Sequence, residues 1–329
     1  MKIGLIDCDG HNFPNLCLMK ISAFHKNKGD EVEWYEPFKG LVREYDIVYC
    51  SKVFSFSQDY EFPIYAKKVI KGGSGYAIRL EDGIEVYDTE KDKPLDDEIE
   101  HQYPDYTLYP KMTKNTAYGF LTRGCPYGNI HEYCHVGKKE GLCSHKVADL
   151  EEFWKGQKKI ILSDPNILAC KDHMELLEQL ARSGAKVEFN QGVDIKLINK
   201  ENLEVIKKID LISVHFAFDR YEEKDLIEPK LKAFKEATGY RRDKVSCYVL
   251  TNFESRSKGI AEDIKHALYR MEFLRSLDFQ PYIMIYDKEH CEGIYKKIQR
   301  YSKPIFFWKY RTFEEYLKAE YKNHVEIPK

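Results

Sequence analysis

The stretch at residues 159–192, KIILSDPNILACKDHMELLEQLARSGAKVEFNQG, decides the fold. The apolar run KIIL predicts a strand, DHMELLEQLARSG predicts a helix that ends at a glycine, and KVEF predicts a second strand. A strand, a helix and a strand in succession indicate parallel strands joined by a crossover helix. The sequence therefore predicts an α/β protein.

The same alternation runs from residue 116 to residue 287. The predicted strands are AYGF, KIIL, KVEF, LISVHFAF, KVSCYVL and PYIMI, with helices between them. Six strands with intervening helices predict a partial (β/α)6 TIM-type barrel. In such a barrel the chemistry would lie on the loops that follow the strands.

The first part of the chain shows a second, separate alternation. KIGLID, EVEWYEP and YDIVYCSKVF predict strands, NLCLMKISAFHKNKG predicts a helix that ends at Gly29, and PIYAKKVIKGG predicts another helix. This pattern indicates a Rossmann-like domain. The run RLEDGIEV, with its Asp-Gly pair, predicts a hairpin in the linker that follows.

We therefore expect three regions along the chain. Residues 1–110 form the Rossmann-like domain with its linker, residues 111–303 form the partial barrel, and residues 304–329 form an aromatic C-terminal extension that covers the barrel or the seam between the domains. A chain of 329 residues is long enough for two such domains.

Charge and cysteine content narrow the classes of function. The 52 basic side chains nearly balance the 54 acidic ones, so no uniform field attracts nucleic acid or a membrane. The apolar run at the start is broken by Asp7 and Asp9, which does not fit a signal peptide, and we expect a cytoplasmic protein. Because the cytoplasm is reducing, we expect the nine cysteines to serve as core residues, free thiols or metal ligands rather than as a disulfide framework.

Five of the cysteines lie in or beside apolar runs, Cys291 follows a polar stretch without a pattern, and three remain. They lie in and after the segment at residues 121–141, LTRGCPYGNIHEYCHVGKKEG, as Cys125, Cys134 and Cys143. With His131 they form a Cys3His set that suits a structural zinc ion. A cysteine-rich turn after a strand also suits an iron–sulfur cluster. A loop with no metal is the third interpretation, and the residues alone leave all three open.

The surroundings of these cysteines resemble the radical SAM (S-adenosylmethionine) superfamily. TRGCP, YCHVGKKEG, KVADLEEFW and KIILSDPN carry the resemblance. The family motif is Cys-x3-Cys-x-aromatic-Cys. Here Cys125 and Cys134 match its first and last cysteines, and the middle position falls on His131. The resemblance implies a 4Fe-4S cluster whose open iron binds S-adenosylmethionine and cleaves it reductively to a 5′-deoxyadenosyl radical.

Further residues follow from the same resemblance. Polar side chains after successive strands would bind S-adenosylmethionine, and these are Asp164, Asn166, Gln191, Asp194, Asp219 and Arg220. Asp and Asn also close strands as ordinary turn residues, which is the alternative for each one alone. An active protein would need an electron donor such as flavodoxin or ferredoxin. Its substrate would be a small molecule or a nucleotide-type compound that the sequence does not identify.

The N-terminal domain resembles the cobalamin-binding-like domain that precedes the barrel in many radical SAM proteins. Asp9 and His11 match the Asp-x-His element after its first strand. Pro14 stands where that motif has glycine, so we do not expect cobalamin to bind. The competing hypothesis for the whole chain is a non-catalytic descendant, with a zinc-bound or metal-free loop, that acts as a binding module.

Overall fold

The chain is described by a computed structural model that covers residues 1–10, 13–81, 84–128, 130–131 and 133–325. The chain consists of two compact units, Met1–Val187 and Glu188–Lys329, and the boundary between them falls within a strand. A four-stranded and a six-stranded parallel sheet confirm the α/β class. The domain bounds at residues 110 and 303 stay predictions.

The elements of the first unit alternate as follows. Its strands are β1 (Lys2–Asp7), β2 (Glu31–Trp34), β3 (Tyr45–Ser51), β4 (Ala66–Gly72), β5 (Ile78–Glu81), β6 (Ile84–Tyr87), β7 (Thr116–Gly119), β8 (Thr122–Arg123), β9 (His145–Lys146), β10 (Lys159–Leu162) and β11 (Lys186–Phe189), which crosses the boundary. Its helices are α1 (Leu16–Asn27), α2 (Pro37–Val42), α3 (Ser74–Ala77), α4 (Asp97–Glu100), α5 (Pro110–Thr113), α6 (Val136–Glu140) and α7 (His173–Ser183).

The second unit continues the alternation. Its strands are β12 (Asp210–Ala217), β13 (Val245–Thr251) and β14 (Gln280–Ile285). Its helices are α8 (Lys200–Ile206), α9 (Lys224–Thr238), α10 (Ser255–Lys258), α11 (Ile260–Ser276), α12 (Gly293–Tyr301), α13 (Pro304–Phe307) and α14 (Phe313–Val325). Within the described part of the chain, no helix combines the length and the apolar character needed to cross a membrane.

The four-stranded sheet has the order β2-β1-β3-β4, with parallel pairing throughout. The direction in which successive strands are added to the sheet reverses at β1, as in doubly wound sheets. Such sheets bind ligands at the reversal, outside the carboxyl ends of the strands. Each face of the sheet carries its own core. Ile3 and Leu5 pack with Leu18 of α1 on one face, while Ile6 and Val48 lie in the core of the other.

The prediction of a helix over PIYAKKVIKGG was wrong. The segment forms β4, which pairs in parallel with β3 at the edge of the sheet. Val69 and Ile70 are β-branched and therefore favour extended backbone. The lysines around them, which suggested the solvated face of a helix, lie exposed on the edge strand, where charged side chains are common.

The six predicted strands from residue 116 onward are confirmed. They are β7, β10, β11, β12, β13 and β14, and they neighbour one another in the sheet in the order of the sequence. The predicted hairpin is confirmed as well, because β5 and β6 pair antiparallel from Ile78 with Tyr87 to Glu81 with Ile84. In the C-terminal extension, Phe307 and Phe313 contact Tyr301 of α12, with ring centroids 5.4 Å apart in each pair.

Leu5 and Leu41 provide a matched test of the N-terminal core. Leu5 is 1% exposed in β1, whereas Leu41 is 60% exposed in α2. We expect Leu5→Ala to lower the free energy of unfolding by about 3 kcal/mol, because it leaves a cavity between the sheet and α1. Leu41→Ala should change it by less than about 0.5 kcal/mol. Urea denaturation measures both values, and equal losses would contradict the placement of β1.

Candidate functional site

The segment that follows β7 folds back on itself as a closed loop. We call residues 124–144 the cysteine loop. Its two ends are joined by the antiparallel pair β8 and β9, in which Arg123 lies opposite His145. Arg123 also forms an ion pair of 3.0 Å with Glu140, and the N–H of Cys125 donates to the carbonyl of Gly141 at 3.1 Å. The sequence predicted a loop here but not the pairing that closes it.

Three glycines let the chain close at the start of this loop and cross within it. Gly124 has φ of +85°, and a Cβ there would overlap the carbonyl oxygen of Cys143. Gly128 and Gly137 meet at the crossing, where a Cβ on either would overlap the Cα of the other. The glycines in the sequence motif therefore shape the loop by allowing backbone to touch backbone.

The buried carboxylate of Asp164 holds the chain that leads into the loop. Asp164 follows β10, and its side chain accepts hydrogen bonds from the N–H of Leu121 at 3.1 Å and from the N–H of Thr122 at 2.6 Å. The hydroxyl of Thr122 donates to it at 2.7 Å. Burial raises the pKa of Asp164 to about 6, although these hydrogen bonds oppose the rise. Asp164 was predicted to contact a cofactor, and that contact stays a prediction; in the structure its carboxylate bonds to Leu121 and Thr122.

Asn166, which was predicted to bind the cofactor, contacts the predicted ligand Cys125. Its side-chain amide lies 3.8 Å from the sulfur of Cys125, and its carbonyl accepts a hydrogen bond of 2.8 Å from the hydroxyl of Ser144. These contacts connect the end of β10 to both ends of the cysteine loop. The structure therefore brings together Cys125 and Asn166, which the sequence had placed on separate segments.

The other predicted ligands lie elsewhere in the loop. The ring of His131 stacks between Tyr127 and Tyr133, with centroids 5.2 Å and 5.3 Å away. The N–H of Cys134 donates to the carbonyl of His131 at 2.9 Å. Cys143 is exposed, whereas Cys125 and Cys134 are half-buried.

The donors suit a metal by their chemistry, since thiolates and imidazole bind both zinc and iron–sulfur clusters. Within the described residues, however, no three His, Cys, Asp or Glu side chains are grouped to hold a metal ion.

The hairpin strand β6 and the short helix α3 contact the cysteine loop. The ring of Tyr87 in β6 stacks on His135 with centroids 6.0 Å apart, and the amine of Lys139 donates to the hydroxyl of Ser74 at 3.3 Å.

Asp9 accepts hydrogen bonds from two backbone N–H groups after β3, at 2.7 Å and 3.2 Å. His11, predicted in the same element as Asp9, lies outside the described residues.

The predicted residues of the second unit are spread over two strand ends. Gln191 is exposed after β11, and Asp194 accepts from the N–H of Lys196 at 3.0 Å as a turn residue. Asp219 and Arg220 follow β12 and are half-buried. The carboxylate of Asp219 accepts from the N–H of Leu250 at 3.1 Å. Both aspartates thus bond to backbone, as strand-closing residues commonly do.

Arg270 is a residue that the sequence reasoning missed. It is fully buried in α11 and donates to the carbonyls of Phe218 and Asp219, which directly follow β12, at 2.9 and 2.5 Å. It also donates to the carbonyl of Leu250, near the end of β13, at 3.1 Å. One turn earlier, His266 bonds to Glu254 at 3.1 Å. The sequence contained a signal for both residues, because they stand at helical spacing within the apolar stripe of α11.

A polar patch on the sheet was missed as well. His215 of β12 bonds to the hydroxyl of Ser246 at 2.5 Å, and its ring centroid lies 5.7 Å from that of Tyr248. Val214, which precedes His215, and Cys247, which lies between Ser246 and Tyr248, are buried on the other face. The alternation in LISVHFAF and KVSCYVL was the available signal, since it indicates a face that is not covered by apolar packing.

The chain was also compared with known proteins. No protein-family model matches it, and no curated protein sequence matches it.

The pH dependence of stability tests the position of Asp164. The folded protein retains the Asp164 proton up to pH of about 6, whereas the unfolded chain releases it near 4. Stability should therefore fall as the pH rises through this window, by on the order of 2 to 3 kcal/mol. We expect Asp164→Asn to remove this fall, as measured by urea denaturation at a series of pH values.

Asp149 supplies a control of opposite sign. Its pKa is lowered by hydrogen bonds from Lys146 and Gln179, so the stability it contributes is lost as the pH falls. Asp149→Asn should leave the fall between pH of about 4 and 6 unchanged. A wild-type profile that matches that of Asp164→Asn would contradict the assignment.

Gly124 and Gly141 form a second matched pair, since both have φ near +90°, at +85° and +92°. Gly141→Ala should cost about 2 kcal/mol of unfolding free energy, because its backbone, with φ of +92° and ψ of 167°, lies in a region that essentially only glycine adopts. Gly124→Ala should cost about 3 kcal/mol, because its Cβ also overlaps the carbonyl of Cys143. Urea denaturation measures the difference, and equal costs would mean that the loop does not close as described.

Proposed function

We propose that the protein is a radical SAM-type iron–sulfur enzyme. The observation that carries the proposal is the contact of 3.8 Å between Cys125 and Asn166. These residues follow β7 and β10, which are the first two strands of the six-stranded sheet and pair in parallel. The first ligand and the first cofactor contact of such an enzyme would occupy these positions.

The fold supports the same proposal. Parallel strands in sequential order, with helices between them, are the arrangement of a partial (β/α)6 barrel, and we infer that the six-stranded sheet curves in this way. The loops that carry the proposed cofactor residues all follow strands of this sheet, which is where barrel enzymes place their chemistry.

In this proposal Cys125, Cys134 and His131 hold the 4Fe-4S cluster. The cluster would supply the electron that cleaves S-adenosylmethionine to a 5′-deoxyadenosyl radical. Asp164 keeps the beginning of the loop in place through the N–H groups of Leu121 and Thr122. Asn166 presents its amide beside Cys125 to orient the bound cofactor. An electron donor such as flavodoxin or ferredoxin and a cytoplasmic location belong to the proposal, and the substrate is not assigned.

A structural zinc site is the second candidate. The exposed Cys143 lies where the loop closes and could complete a Cys3His set with the same three residues. The four ligands would leave no open position for a substrate. The chain would then act as a binding module instead of an enzyme.

Anaerobic reconstitution with iron and sulfide tests the enzyme against the binding module. We expect the wild-type chain to bind iron, to give an electron paramagnetic resonance signal on reduction, and to form 5′-deoxyadenosine from S-adenosylmethionine. Cys125→Ala and Cys134→Ala should lose the bound iron, because each removes a thiolate ligand. Cys291→Ala should retain it, because Cys291 lies outside the loop and donates to the carbonyl of Lys288.

Stoichiometric zinc, with no cluster signal and no 5′-deoxyadenosine, would contradict the enzyme and support the binding module. His131→Cys adds a thiol at the middle position of the motif. If a cluster forms only in that variant, the site of the natural chain is degenerate and the enzyme proposal fails.

A further inference from the structure

The strands of the second unit have one buried face and one face that is open to solvent. Phe216, Cys247 and Ile283 are buried on the first, whereas Tyr282, which precedes Ile283, is 57% exposed on the second. Successive side chains of a strand point to opposite faces, so the exposed and half-buried residues between the buried ones share a face. We call this second set the open face, and its members used below are Glu188, His215, Ala217, Ser246, Tyr248 and Tyr282.

The register of the strands arranges the open face in two rows. His215 lies opposite Ser246 in the first row. In the second row Ala217 lies opposite Tyr248, which lies opposite Tyr282 on the next strand. The two tyrosine rings are 5.5 Å apart and meet edge to face at 87°. Because Ala217 is exposed and carries only a methyl group, the second row forms a recess with aromatic rings at its side.

A carboxylate lies beside the first row. Oε1 of Glu188 lies 3.9 Å from Nε2 of His215, which suits an ion pair but is too long for a hydrogen bond. The same Nε2 lies 3.3 Å from the hydroxyl of Ser213. In the part of the chain that the structure describes, Glu188 has no other ion-pair partner, and Lys244 donates instead to the carbonyl of Leu211. The oxygens of Glu188 are therefore available to a donor from solvent.

The field over the recess is negative. Burial raises the pKa of Tyr248, and the charge of Glu188 raises it further. The face of an aromatic ring is itself electron-rich and attracts cations. The carboxylate and the rings thus favour a ligand of the same sign of charge, and they disfavour an anion.

We propose that the open face binds an organic cation, a small molecule that carries an amidinium or ammonium group on a planar apolar body. The N–H groups of the cation donate to Glu188, because hydrogen bonds between charged partners are about twice as strong as neutral ones. The body of the molecule lies over Ala217 and packs against the ring of Tyr248. Apolar walls with a few placed polar groups are the usual composition of a small-molecule site.

Binding of this cation needs no metal cluster. Every residue of the open face belongs to the second unit and lies outside the cysteine loop. Under the proposed function, on which this last step rests, the organic cation defines the class of substrate.

Titration of the metal-free full-length chain with benzamidine tests the site. Benzamidine carries an amidinium on a planar ring, and benzamide is its neutral counterpart of similar shape. We expect benzamidine to bind about tenfold more tightly than benzamide, which is the gain from a hydrogen bond to a charged group. Glu188→Gln should bring the two dissociation constants to within about twofold, because it removes the charge and keeps the shape. Ligand-observed nuclear magnetic resonance measures the constants.

Two further variants locate the ligand. Ala217→Phe fills the recess, so it should weaken the binding of both compounds by about tenfold or more. Glu236→Gln removes an exposed carboxylate of α9 and should leave both constants unchanged. Urea denaturation checks that Ala217→Phe is folded, and Glu188→Gln, which conserves side-chain volume, decides the outcome if it is not.

Three results would overturn the site. They are the absence of saturable benzamidine binding to the wild-type chain, equal affinity for benzamidine and benzamide, and a preference for benzamidine that survives in Glu188→Gln. Unchanged binding to folded Ala217→Phe would likewise place the ligand elsewhere and contradict the proposal. Because the titration uses metal-free protein, none of these results depends on whether the cysteine loop binds iron.

Discussion

The candidate site depends on one buried interaction, the acceptance of backbone N–H groups by Asp164. The strand β7 ends before the cysteine loop, so the N–H groups of Leu121 and Thr122 have no partner in the sheet. An unpaired buried N–H is costly, and the carboxylate of Asp164 removes that cost by bonding to both. The same interaction fixes the point where the loop leaves the sheet. Cys125 and the glycine crossing come after that point in the chain, and Asn166 lies two residues beyond Asp164.

The strands of the large sheet could be predicted from the sequence because each is a short apolar run between turn residues. The helix α7 carries an apolar face and a terminal glycine, which leave little ambiguity. The strand β4 could not be predicted in this way. Its short run of Val69 and Ile70 among lysines fits either a helix face or an edge strand, and only pairing with β3 decides between them.

The segments that carry the candidate site could be predicted from the sequence, but the contacts of its side chains could not. The sequence placed Asp164 and Asn166 after a strand, and the structure places both beside the cysteine loop. It could not show that Asp164 is bonded to backbone, because Asp after a strand serves equally as a turn residue or a ligand contact. Nor could it show the approach of Cys143 to Gly124. That contact depends on the pairing of β8 and β9, which are too short to leave a pattern.

Asp164 and Arg270 both bond to backbone groups at the ends of parallel strands, but they carry opposite charges. Where parallel strands end, carbonyl and N–H groups lose their partners in the sheet. In the first unit a carboxylate accepts from the N–H groups, and in the second a guanidinium donates to the carbonyls of Phe218, Asp219 and Leu250. Burial opposes the charged form of each, since it raises the pKa of Asp164 and lowers that of Arg270. Each group therefore keeps its place only while the backbone groups it binds remain in position, which couples the order of the strand ends to the folding of the sheet.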